Sequence, residues 1–160
     1  MTDTTAGTGP EAGKTVVVDG PEYETAGGCG SNMGIFDSHW VIEINYYCDN
    51  YGIDTISYGT CMAFVMECYE AGILDLEKTG GLDLHFGNGE AALELLHQIG
   101  RGEGFGLVVG QGIRRMKAHF AEAYGLDQST IALMNDIGME SKGLEYSEYV
   151  TKESLAIQGG

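Results

Sequence analysis

Wound as a helix, residues 56–71 are apolar almost all round: Ile56, Met62, Ala63, Phe64, Val65 and Met66 leave no polar face. Such a helix has to be enclosed by other elements. The chain must therefore wrap structure around this segment, and its neighbours read as helices able to do so. Asp54 or Thr55 caps residues 56–71 and Gly72 ends them. Asp37 or Ser38 caps an earlier helix that runs to about Asn50, with Tyr51-Gly52 closing it. Asn88 caps a third, about residues 90–101, in which Ala92, Leu95, Leu96 and Ile99 form a core-facing stripe. Glu94, His97, Gln98 and Arg101 fall on its other face. A fourth helix over residues 105–124 is interrupted at Gly110-Gln111-Gly112.

Thr15–Val18 reads as a short strand stopped by Asp19-Gly20. Residues 1–14 read as a flexible lead, 20–34 as a long loop, and 136–149 as a stretch open to strand and turn. The expected class is mainly α with short β-strands. The terminal Gln158-Gly159-Gly160 reads like a cut, so the expectation for residues 15–160 is a helical segment truncated at both ends.

The chain has 160 residues, enough for one compact domain. It carries 24 Asp and Glu against 8 Lys and Arg, a net charge of −16. That balance repels phosphate backbones and anionic membrane surfaces, so neither nucleic acid nor membrane is an expected partner. No apolar run approaches the ~20 residues of a spanning helix, and no signal-peptide pattern opens the chain, so a cytoplasmic location is expected. Cys29, Cys48, Cys61 and Cys68 form no Cys-x-x-Cys, and free thiols are expected. Glycine is the outlier, at 26 of 160. Without a period, such density points to tight turns or to backbone lying close to something bulky.

Several clusters carry possible chemistry. In residues 49–57, Asp49, Asp54, Thr55 and Ser57 converge at the start of the apolar helix. These carboxylates either end one helix and cap the next or accept from ligand N–H groups; spacing alone favours the caps. Glu22 and Glu24 flank Tyr23 in a loop stiffened by Pro21, where a carboxylate in a cleft could serve as general acid or base. Glu94 and His97, spaced i, i+3, can hold a metal between helices or form a solvated face. Cys61 lies within two turns of the start of the apolar helix, either a small buried hydrophobe or a soft-metal ligand. Gly102-Glu103-Gly104 and Gly28-Cys29-Gly30 do not complete a dinucleotide fingerprint.

The succession of these segments is more specific than any one of them. Gly-Pro-Glu-Tyr-Glu-Thr at 20–25, Gly-Ser-Asn-Met-Gly-Ile at 30–35, Cys48-Asp49 and Tyr51-Gly52-Ile53-Asp54-Thr55-Ile56-Ser57 follow in order. Ala-Phe-Val-Met-Glu-Cys-Tyr-Glu-Ala-Gly comes next, at 63–72. This order resembles the tungsten-containing aldehyde ferredoxin oxidoreductase family from about Asp19 onward. The resemblance implies the helical middle domain of a multidomain tungstopterin oxidoreductase. Such an enzyme holds tungsten, or occasionally molybdenum, between two pterins beside a [4Fe-4S] cluster, and exchanges electrons with ferredoxin or an iron–sulfur partner subunit. Its substrates are at the aldehyde or carboxylate level, or are aromatic acyl-coenzyme A esters. Asp49, Gly52, Ile53 and Asp54 match the family's Asp-x-x-Gly-Leu-Asp pterin motif, with Ile for Leu and Thr55 following.

Glu24 matches the glutamate near the metal. Glu43, Glu94 and His97 match the ligands of an iron found at the dimer interface of some members, although residues 43–46 lack a His at their fourth position. A homodimer or larger complex is implied. Tyr58-Gly59-Thr60-Cys61 and Cys68-Tyr69-Glu70 look closer to the tungsten benzoyl-coenzyme A reductase subunit, which implies Cys61 as a tungsten ligand. The cluster's cysteine motif does not stand before Pro21, so this segment would depend on the other domains of its parent and be inactive alone. The alternative, from the residues alone, is a stand-alone acidic helical binding module without catalysis.

Overall fold

The computed structural model describes residues 1–138. Two strands, β1 (Thr2–Thr5) and β2 (Thr15–Val18), pair antiparallel with Thr2 opposite Val18 and Thr5 opposite Thr15. Seven helices follow: α1 (Tyr23–Cys29), α2 (Ser38–Tyr51), α3 (Thr55–Glu70), α4 (Gly89–Arg101), α5 (Gly106–Val109), α6 (Ile113–Ala123) and α7 (Gln128–Ile137). None of the described helices is long and apolar enough to cross a membrane. The mainly helical class with short strands is the one expected.

Helix α3 is the enclosed element that its composition demands. Tyr58, Met62, Phe64, Val65, Met66 and Cys68 are buried, and only Glu67 and Glu70 near its end reach solvent fully. Its start is fixed by Asp54, whose side chain accepts from Ser57 N at 2.8 Å. Asp37 and Asn88 cap α2 and α4 in the same way, through His39 N at 2.9 Å and Ala91 N at 3.1 Å. The rings of Phe64, Phe105 and Tyr124 each stack near-parallel on Phe120, joining α3 to the region of α5 and α6.

Several expectations are corrected. Within residues 1–14, expected as a flexible lead, Thr2–Thr5 form strand β1 and Gly9–Glu11 a 3-10 turn. Threonine favours extended backbone, and the hairpin hides Val16 and Val18 while Val17 faces out. Residues 23–29, read as loop for their glycines, form α1, because the glycines serve contact rather than freedom. A Cβ on Gly59 would lie 2.6 Å from the carbonyl carbon and oxygen of Gly28, so α1 and α3 meet backbone to backbone. The helix over 105–124 is two, α5 and α6, separated at Gly112 with φ +86°. Helix α7 went unread, and most of the ambiguous 136–149 stretch lies outside the described residues. His97, placed on the outer face of α4, is buried.

Gly59→Ala tests the contact between α1 and α3. Alanine is the better helix former by roughly 1 kcal/mol, yet the clash with Gly28 is expected to produce a net loss of about 1–3 kcal/mol in denaturant unfolding. A variant as stable as the parent would show that the two backbones do not touch.

Candidate functional site

The junction between α2 and α3 is built by two opposed caps. Gly52, at φ +67°, ends α2 in the left-handed conformation, and its N–H reaches the Asp49 carbonyl while Ile53 N donates to Cys48 O. Two residues later Asp54 caps α3. Asp49, Gly52 and Asp54 are exposed, and nothing lies within 4 Å of where a Gly52 side chain would stand. The junction thus presents two carboxylates around a bare stretch of backbone.

Helix α1 is tied to this junction by its own side chains. The hydroxyls of Thr25 and Thr55 lie 2.7 Å apart, and Cys29 Sγ donates to Thr55 O at 3.5 Å. Glu24, half-buried, immediately precedes Thr25 in the first turn of α1. The structure therefore brings Glu24 into the neighbourhood of residues 49–55 that the sequence kept separate.

A cleft of about 310 Å³ opens beside the junction. Ile53, Ser57, Thr60 and Cys61 line one wall, and Ile99 with residues 109–113 the other. Its size is at the lower end of small-molecule sites. Sequence reasoning found Ile53, Ser57 and Cys61 but missed Gln111 and Gly112 as site residues. The signal was present: the glycine break that interrupts residues 105–124 is the second wall.

The cysteines divide by environment. Cys61 is half-buried in the cleft, whereas Cys29, Cys48 and Cys68 are buried. Burial pushes the Cys48 thiol far above its ordinary value and the Cys68 thiol up to about 12. These two are protonated hydrophobes in the core. Among the described residues no group of three or more His, Cys, Asp or Glu converges on a point. The cysteines of residues 1–138 accordingly do not fit a [4Fe-4S] cluster.

A pterin fits better. Its ring carries N–H donors, for which exposed Asp49 and Asp54 are acceptors. The side-chain-free Gly52 allows close approach, and a thiol within the adjoining cleft suits a soft metal.

The third expected set is rearranged. Glu94 turns outward to Arg101, Oε1 to Nη2 at 3.2 Å. Glu43 and His97 turn inward and meet through Thr8, whose Oγ1 lies 2.8 Å from Glu43 Oε1 and 2.9 Å from His97 Nε2. Tyr51 OH occupies the other ring nitrogen, Nδ1, at 2.8 Å. Burial pushes the His97 imidazole below its ordinary pKa, partly opposed by the Glu94 carboxylate.

With this geometry in place, relatives can be compared. Residues 2–159 match the family model for aldehyde ferredoxin oxidoreductase, domains 2 and 3. The chain belongs to the aldehyde ferredoxin oxidoreductase family. It is 37% identical over 144 residues to the tungsten-containing aldehyde ferredoxin oxidoreductase of Pyrococcus abyssi, covering 86% of this chain and 23% of that protein. The enzyme of the same name from Thermococcus kodakarensis is 34% identical over 139 residues, 82% and 22% of the two chains. The aliphatic sulfonate oxidoreductase WOR-like subunit of Pyrococcus furiosus is 31% identical over 156 residues, 95% and 24%. The chain spans about a quarter of the length of these curated relatives.

The two thiols held protonated by burial give a direct test. In the native family member at pH 8, iodoacetamide is expected to leave Cys48 and Cys68 unmodified, as read by peptide mass spectrometry. Rapid labelling of either would show that its surroundings are open to water.

Proposed function

We propose that this chain is the pterin-holding helical segment of a tungstopterin oxidoreductase. The parent enzyme moves two electrons between aldehyde- and carboxylate-level substrates, or aromatic acyl-coenzyme A esters, and iron–sulfur centres that exchange with ferredoxin or a partner subunit. The observation that carries this reading is the open cleft beside Asp49, Gly52 and Asp54, with Cys61 in its wall.

In this reading Asp49 and Asp54 accept from the N–H edge of one pterin, Gly52 admits it, and Ile53 covers its apolar side. The bond between Thr25 and Thr55 holds α1 so that Glu24 can take or deliver a proton near the reacting centre. Cys61 supplies a thiolate to the metal. When bound, a tungsten or molybdenum bis-pterin supplies the two-electron chemistry, and the protein supplies position and charge. One relative is named for an aliphatic sulfonate and others for aldehydes.

Exposed apolar residues support a segment that packs against other domains rather than a stand-alone module. Tyr23 and Phe36 are 83% and 85% exposed. The [4Fe-4S] ligands come from those other domains.

Two substitutions in the intact enzyme test the reading. Asp54→Asn keeps a good helix cap, so melting is expected to shift little, while pterin-bound tungsten falls severalfold. Cys61→Ser is expected to lower tungsten content or turnover without loss of fold. Full tungsten and full turnover in both variants would exclude this face as the cofactor site.

A further inference from the structure

The family resemblance makes Glu43, Glu94 and His97 ligands of an iron shared between subunits. We infer that in this protein Glu43 and His97 hold the chain's own N-terminal loop through Thr8 instead, and that no metal sits between them.

The donor set is already used. Glu43 Oε1 accepts from Gly7 N at 3.0 Å, Thr8 N at 2.8 Å and Thr8 Oγ1 at 2.8 Å. The single Thr8 hydroxyl proton goes to that carboxylate, so His97 must donate from Nε2 to Thr8 Oγ1. With Nε2 as the donor, Nδ1 is taken up by Tyr51 OH at 2.8 Å, accepting from the hydroxyl in the neutral ring. Every hydrogen in the chain from Tyr51 to Glu43 is thereby assigned, and neither imidazole nitrogen has a lone pair left for a metal.

Access is closed as well. Glu43 is 0% and His97 1% exposed. The loop lies directly on the ring: a Cβ on Gly9 would stand 2.3 Å from His97 Cε1 and 2.9 Å from Tyr47 OH. Tyr47 OH in turn donates to Thr8 O and accepts from Glu11 N. An ion shared by two subunits needs its ligands at the surface, and these lie beneath a loop of their own chain. Glu94, the remaining expected ligand, pairs with Arg101 in solvent. Among the buried side-chain oxygens and nitrogens of the described residues Glu43 Oε2 lacks a hydrogen bond, and the exposed His39 ring lies 3.4 Å from it. One oxygen and one imidazole fall short of the four ligands of a closed metal site. Thr8 is thus a positioning residue.

Metal analysis of the purified, tungsten-loaded protein tests this, wild type beside Glu43→Gln and His97→Gln. Equal iron, zinc and manganese per chain is expected in all three. Loss of one equivalent, or of half an equivalent for a shared ion, overturns the inference. Because either variant could fold poorly, Thr8→Val carries a second measurement. It keeps both supposed ligands and removes only the bridging hydroxyl. Trypsin cleavage after Lys14 is expected to accelerate at least tenfold with metal content unchanged. An unaltered cleavage rate overturns the role of Thr8. Neither readout uses turnover, so failure here is distinct from failure of the cofactor reading.

Discussion

Two backbones in contact decide the shape of this molecule. Gly28 and Gly59 let α1 lie against α3 at a distance that no side chain would allow. From that contact follow the bond between Thr25 and Thr55, the burial of Cys29 and the nearness of Glu24 to the start of α3. A helix apolar on nearly every side could have been covered by any neighbour. The glycine pair selects α1 and fixes how closely it comes, which in turn sets which carboxylates share one face.

The junction between α2 and α3 shows how structural and functional demands fall on the same atoms. Asp54 holds the first turn of α3 with one oxygen, yet its carboxylate remains exposed. Gly52 is required by its left-handed backbone whether or not anything binds, and the same missing side chain leaves an approach open. Spacing alone cannot separate a cap from a ligand contact, because here one residue is suited to both.

The helices with strong side-chain caps were legible: Asp37, Asp54 and Asn88 begin α2, α3 and α4 where their residue types say they should. Helix α1 was not, since glycine is locally a helix breaker and only the tertiary contact with Gly59 rewards it. Strand β1 was missed because its threonines and Asp3 carry no apolar alternation, and its partner supplies the buried valines. The error at His97 came from assuming one buried stripe on α4. That helix is covered on two sides, with Tyr47 and Tyr51 packed on His97 and Leu93 buried beside it. Of the site, the residues 49–55 were readable as a unit. The cleft was not, because its walls lie some fifty residues apart along the chain and meet only after folding.

The seating of the Gly7–Gly9 loop also bears on the order in which the chain can assemble. Its hydrogen bonds to α2 and α4 span 35 to 89 residues of sequence, the longest from Thr8 to His97. Contacts so distant are the slowest to close. Helices α2 and α4 have to pack before Glu43, Tyr47 and His97 stand together to receive it. This loop is therefore among the last parts of the segment to find its place, and its state reports whether the rest of the segment has finished folding.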